Sequence, residues 1–132
     1  MRNPNDVCHI AVPCKDLEST VDFYCNKLGC ELARTKSDRV TFNFFGDQLV
    51  CHLSPKNVPL EVKPYPYHFG VTFSSLSDFD SIREKLLSNG VKLLQDSNRF
   101  EGKPDEHKTF FISDPSNNVV EFKYYFNDKM KY

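Results

Sequence analysis

Four histidines and one glutamate carry most of the chemistry this sequence offers. His9 opens the run His9-Ile10-Ala11-Val12-Pro13, and His68 opens His68-Phe69-Gly70-Val71-Thr72-Phe73. Successive side chains on a strand point to opposite faces. Ile10 and Val12 then share one face, and Phe69, Val71 and Phe73 another, each bulky enough to pack on a core. The opposite faces carry His9 with Ala11 and His68 with Gly70 and Thr72. Small neighbours there leave room for a ligand. Glu121, flanked by Val120 and Phe122, lies by the same parity on the face opposite the core. Taken alone it reads as an edge-strand glutamate in solvent. Taken with His9 and His68 it completes a set of two imidazoles and one carboxylate. That set gives a divalent metal three ligands and leaves positions open for catalysis.

Two further histidines fall near such a site. His52, in Val50-Cys51-His52-Leu53-Ser54, alternates with the apolar Cys51 and Leu53 and faces the same cavity, as a fourth ligand or as an acid–base residue. His107 starts a strand beside a long polar loop. It reads either as an exposed loop-end residue or, by its parity with Thr109 and Phe111, as cavity-facing. Other features carry less. Asp16, Glu18 and Asp22 make a solvated helix face, and Arg99 is an isolated arginine that could hold an anionic substrate. Phe42, Phe44 and Phe45 read as core or subunit contact.

The elements that must position these residues come as an internal repeat. After the strand at His9, Asp16 suits an N-cap, and Leu17, Val21, Tyr24 and Leu28 fall at helical spacing before Gly29. Strands are expected near 30–36, 39–46 and 47–54, with a hairpin turn at Gly46-Asp47. The second half repeats the order. Ser77 caps a helix with Phe79, Ile82 and Leu86 on one face, ended by Asn89-Gly90. Strands follow near 91–95, 107–113 and 118–126, the last two joined by the turn formers of 114–118. Both halves read strand, helix, strand, strand, strand. They span about 7–54 and 68–126, joined by a linker, 55–67, that holds Pro55, Pro59, Pro64 and Pro66. The loop 96–106 is long enough to expect a function of it.

Bulk properties bound the answer. The chain has 132 residues, enough for one domain. Its formal net charge of −1, with Lys and Arg scattered, argues against nucleic acid as a partner. No apolar run approaches the roughly 20 residues that span a bilayer, and the first residues show no apolar signal region. A cytoplasmic protein without a membrane partner is expected. The five cysteines form no CxxC pair and read as free thiols.

With the repeat, the paired histidines and the final glutamate in hand, the chain resembles the vicinal oxygen chelate superfamily. This group includes glyoxalase I, type I extradiol dioxygenases, fosfomycin resistance proteins and bleomycin-binding proteins. The matching pieces are His9-Ile10-Ala11-Val12, Asp16-Leu17 with Phe23-Tyr24, Leu28-Gly29, His68-Phe69-Gly70-Val71, and Asp114-Pro115 before Val120-Glu121-Phe122. The resemblance implies an α+β fold whose two βαβββ modules form a curled mixed sheet around a metal cleft. It implies a small-molecule substrate with adjacent oxygens and, in related proteins, closure within one chain or across a homodimer. It places His9, His68 and Glu121 on metal-ligand positions and His52 on the fourth, where glyoxalase I enzymes carry glutamate. In extradiol dioxygenases, iron(II) is held by two histidines and a glutamate, with another histidine as acid–base catalyst. His52 and His107 are the candidates for that role, and Glu106-His107-x-Thr109-Phe110-Phe111 looks like a segment of small proteins predicted to be extradiol-type dioxygenases. Those enzymes place a tyrosine on the strand before the last, where this chain has Thr109, Phe110 and Phe111. The expected activity is therefore a dioxygenase acting on a catechol-like substrate with Fe(II) and O₂. The alternatives are a glyoxalase I-like lyase, isomerase or epimerase using Zn, Ni, Mn or Co, and a non-catalytic binding or resistance protein.

Overall fold

A computed structural model describes residues 2–132. The fold is α+β, and its two halves each make a four-stranded mixed sheet. The first half contains β1 (His9–Cys14), α1 (Leu17–Val21, continuing as a π-helix over Asp22–Leu28), β2 (Glu31–Lys36), β3 (Arg39–Phe44) and β4 (Asp47–Leu53). The second contains β5 (Phe69–Phe73), α2 (Leu76–Ser88), β6 (Gln95–Arg99), β7 (His107–Ser113) and β8 (Val119–Tyr125). The strand orders are β1-β4-β3-β2 and β5-β8-β7-β6, with β1 parallel to β4 and β5 parallel to β8. The sheets are not joined by strand pairing, so they do not close into one barrel within the chain. Among the described residues no helix is long and apolar enough to cross a membrane.

Local signals set the helix ends. The Asp16 carboxylate accepts from the Ser19 backbone N–H at 2.7 Å and starts α1. Gly29 ends the π-helix at φ +90°, a conformation that costs a Cβ-bearing residue strain. α2 starts two residues earlier than Ser77 implies. Ser75 is its cap, because Leu76 is drawn into the helix and packs against the core. The turn between β3 and β4 is Phe45-Gly46, both at positive φ, as a tight two-residue hairpin requires.

One strand differs from expectation. Val91 and Leu93 are not in β6. They pack on the core as an irregular approach, while the strand itself is the polar Gln95–Arg99. An edge strand paired only with β7 needs no apolar face. The irregular loop before His107 shortens accordingly to 100–106.

The core is shared. The inward faces of both sheets and the helices meet around Tyr24, Phe42, Phe79, Phe110 and Phe122, all essentially buried. A polar clamp joins the halves beside it. Asp114 Oδ1 accepts from the backbone N–H groups of Ser116 and Asn118, at 2.8 and 2.9 Å. Its Oδ2 accepts from Asn118 Nδ2 and from the Tyr24 hydroxyl of the other half. Asn118 also donates to the Pro13 carbonyl, and the Lys15 N–H donates to Ser116 Oγ. Burial holds the Asp114 carboxyl above the usual carboxylate range, against the pull of these donors.

The five cysteines are free thiols. Cys51 lies in the core, on the face of β4 opposite His52, and burial pushes its thiol up strongly.

Removing the Asp114 acceptor strands several buried donors. Asp114→Ala is expected to lower unfolding free energy by about 3 kcal/mol, and Tyr24→Phe, which removes one donor, by about 1 kcal/mol. Urea denaturation followed by circular dichroism measures both, and equal losses would contradict the clamp.

Candidate metal centre

The site is best built from His68 outward. His68 immediately precedes β5, and its Nδ1 lies 2.7 Å from the Pro64 carbonyl oxygen. A carbonyl can only accept, so Nδ1 carries a hydrogen and Nε2 is the nitrogen turned toward Glu121. Nε2 and Glu121 Oε2 are 3.0 Å apart. Two acceptors facing each other at that distance require a cation or proton between them. This donor set fits a divalent metal, and the fixed tautomer is what a ligating histidine shows when its other nitrogen donates to a backbone carbonyl.

Glu121 is 6% exposed. Its Oε1 accepts from the Thr109 hydroxyl at 2.7 Å, and Oε2 lies 3.2 Å from Lys123 Nζ. Thr109 and Lys123 are directly opposed in the β7–β8 register. Gly70 pairs with Glu121 across β5 and β8, and a Cβ there would sit 1.6 Å from the Glu121 carbonyl oxygen. The absence of a side chain at Gly70 is what lets β8 carry the glutamate so close to the strand that follows His68.

His9 holds the equivalent place in the first half. Its Nδ1 is 2.6 Å from Gln48 Oε1, its register partner across β1 and β4. With the amide oxygen assigned to that side, Nδ1 again donates and Nε2 is left as a lone-pair donor. One chain does not, however, bring the three candidate ligands together. His9 lines a cavity of about 310 Å³ with His52 and Gln48, on the first sheet. Among the described residues no group of three His, Cys, Asp or Glu side chains can share a metal. The reason is topological: the histidines lie on two sheets that do not close on each other.

The register also relocates His52. In the second half, the residue paired with His68 plus two is Glu121. In the first half, the residue paired with His9 plus two is Val50. Val50 therefore holds the place equivalent to Glu121, and His52 lies one pleat beyond it, equivalent to Lys123. By this pairing Val50, not His52, is the register counterpart of Glu121.

His107 is nearly buried rather than an exposed loop end. Its Nδ1 lies 2.9 Å from the Asp105 carbonyl and its ring centroid 4.7 Å from that of Tyr125. It shares the Glu121 face but sits two pleats away, since Phe111 opposes Glu121, Thr109 opposes Lys123 and His107 opposes Tyr125.

Sequence reasoning missed Lys123, Thr109, Pro64 and Tyr65. Lys123 was within reach, being two residues from Glu121 on the same strand. Pro64 had no signal, because its carbonyl rather than its side chain does the work. Tyr65 packs edge-on against His68 and near Phe111, and its hydroxyl accepts from Arg99 at 2.7 Å. A cavity of about 610 Å³ runs between β1 and β5, with His68 and Tyr65 on its wall and mainly apolar residues around them.

Comparison with known proteins follows the same lines. The profile of the Glyoxalase/Bleomycin resistance protein/Dioxygenase superfamily matches residues 7–122. A crystal structure of a glyoxalase/bleomycin resistance protein/dioxygenase from Alicyclobacillus acidocaldarius is 54% identical, covers 100% of both chains and superposes with a TM-score of 0.95. The metallothiol transferase FosB of Lysinibacillus sphaericus is 28% identical over 86% of this chain and 78% of its own length. The fosfomycin resistance protein FosX of Listeria monocytogenes shares the fold at a TM-score of 0.73, with 20% identity over 95% and 97% of the two chains.

Gly70→Ala tests the close approach of β5 and β8. The added methyl must push β8 away, so a loss of about 3 kcal/mol in stability is expected. An unchanged thermal midpoint would show that the strand can yield without cost.

Proposed function

The chain belongs to the glyoxalase/bleomycin resistance protein/dioxygenase superfamily, and from that premise we propose that it is a metal-dependent enzyme for a small substrate with adjacent oxygens. His9, His68 and Glu121 would hold the metal. The observation that carries the reading is the His68–Glu121 contact at 3.0 Å with the His68 hydrogen committed to Pro64. His9 lies on the other sheet, so the set is completed by a second copy of the chain, His9 of each copy meeting His68 and Glu121 of the other. This rests on the two histidines presenting the same nitrogen from equivalent places in the repeat.

The first sheet offers Val50 where a fourth ligand would stand. Three protein ligands, two imidazoles and a carboxylate, suit iron(II) and an oxygenase better than a four-ligand isomerase. We therefore put extradiol-type dioxygenation first, and glyoxalase-like isomerisation with Zn, Ni, Mn or Co second. Bound there, the metal would polarise a substrate chelating through two neighbouring oxygens and, as iron(II), would pass electrons from that substrate to O₂.

The chain's own residues have separate tasks. Thr109 fixes the Glu121 carboxylate by donating to Oε1. Lys123 lies against Oε2 and balances charge on the second sheet. His107 Nε2, its other nitrogen committed to Asp105, is placed to take a proton. His52, on the first sheet one pleat from Val50, is the second proton carrier. Tyr65 and Phe111 pack edge-on against His68 and steady its ring.

Metal content of the purified protein tests the ligand set. About one equivalent per chain is expected, lost in Glu121→Ala. Co-expression of His9→Ala with Glu121→Ala tests the sharing. A mixed pair would contain one site with both defects and one intact site, so it should recover metal that neither variant holds alone. No recovery would mean that each site closes within one chain. Loaded anaerobically with iron(II), the wild type should consume O₂ with a catechol, whereas His52→Ala should retain the metal and lose turnover. A wild type that takes up no metal on reconstitution would overturn the reading.

A further inference from the structure

The face of the first sheet that carries His9 also carries a row of cations. Lys36 pairs with Arg39 across β2 and β3, and Arg39 pairs with His52 across β3 and β4. Two cations, Lys36 and Arg39, thus lie directly opposite each other, with His52 next in the same row. Like charges in that arrangement oppose sheet formation unless something offsets them. Arg34 stands in the next row, opposite Thr41. All four basic side chains line the cavity of about 310 Å³ that holds His9, and no acidic residue lines it.

Nearby carboxylates do not cancel this charge. Asp38 touches only Arg39 Nε, at 3.1 Å, leaving the terminal guanidinium nitrogens available. Among the described residues no carboxylate pairs with Arg34 or Lys36. Asp47 is held by Arg2 and by the Cys8 N–H. Glu31, at the other end of β2, pairs with Asn43 in the row of His9 and lines a different cavity.

The repeat supplies the decisive comparison. By register, Arg34, Lys36 and Arg39 correspond to Gln95, Ser97 and Thr109 in the second half. Those three positions are uncharged there, with Lys123 in the place of His52, so the fold does not require cations at 34, 36 and 39. Nor does composition explain them, since the whole chain carries a formal charge of −1.

We propose that Arg34, Lys36 and Arg39 form a subsite for a compact oxyanion, a phosphate, phosphonate or carboxylate group carried by the substrate. The proposal deepens the metal-enzyme reading and rests on it for the word substrate. The row lies four residues along the strands from that of His9, about 13 Å of backbone. The substrate is therefore a small molecule with chelating oxygens at one end and an anionic group at the other. Guanidinium groups suit such a group because they bind oxyanions with two parallel hydrogen bonds.

The test uses full-length, chelator-treated protein, so that metal cannot itself bind the probe. Inorganic phosphate and acetate are titrated by calorimetry into wild type, into Arg34→Gln/Arg39→Gln, and into Lys56→Gln/Lys129→Gln as a charge-matched control. Saturable phosphate binding is expected in wild type and control, roughly tenfold or more weaker in the arginine variant. Binding of phosphate without acetate assigns a phosphoryl or phosphonyl group, and binding of both assigns any compact oxyanion. No saturable binding of either anion into the millimolar range, or equal binding by all three proteins, would overturn the subsite. Metal uptake is measured on the same proteins and should be equal in all of them. Failed anion binding with intact metal uptake therefore removes the subsite alone, while failed metal uptake with intact anion binding removes the enzyme reading and leaves the anion site.

Discussion

The buried carboxylate of Asp114 is the interaction on which the arrangement of the two halves depends. It sits in the turn before β8, yet it accepts from Tyr24 in the first half and orders Asn118, which reaches the Pro13 carbonyl. A charged group under the core is costly unless fully hydrogen-bonded. Here both oxygens are used twice, and among the described residues no buried side-chain polar atom lacks a partner. The clamp joins the halves on their helix side. Their ligand-bearing faces are consequently left uncovered by each other, which is why His9 and His68 cannot meet inside one chain.

The halves share a fold and divide its chemistry. Each contributes one histidine at the same register position, with the same nitrogen directed outward by a hydrogen bond from the other. Beyond that they diverge. The second half adds the carboxylate, its Thr109 support and its Lys123 neighbour. The first half replaces the carboxylate by Val50 and gathers Arg34, Lys36 and Arg39 instead. A duplicated sheet can separate the work in this way because its backbone geometry depends mainly on the core-facing residues, Gly70 being the exception on the outward face. The outward alternation is free to vary.

Much of this was legible in the residues. Period-two alternation placed His9, His68 and Glu121 on the faces opposite the core, and the repeat was visible from the paired openings. What sequence could not supply was contact across the sheet. Whether His52 or Val50 matches Glu121 depends on parallel register, and a parallel pair separated by some forty residues leaves no local mark of its alignment. β6 escaped because its residues are polar, and the apolar run before it, Val91–Leu94, imitates a strand while serving as packing. Pro64 escaped because a backbone carbonyl has no residue type. Lys123 needed only the parity argument already applied to Glu121, carried two residues further.

The stretch between the halves has a consequence for how this chain can be altered. It looks like a strap, rich in proline, and a strap is where insertions are normally tolerated. Here Pro64 fixes the orientation of the His68 ring, Tyr65 packs against it, and the Pro59 carbonyl accepts from Asn117. A single added residue near its end would slide the Pro64 carbonyl off its nitrogen and release the ring. Length in this segment is therefore held as tightly as identity is in a core. It would be a poor place to cut, fuse or circularly permute the molecule, however exposed its leucine and tyrosine side chains are.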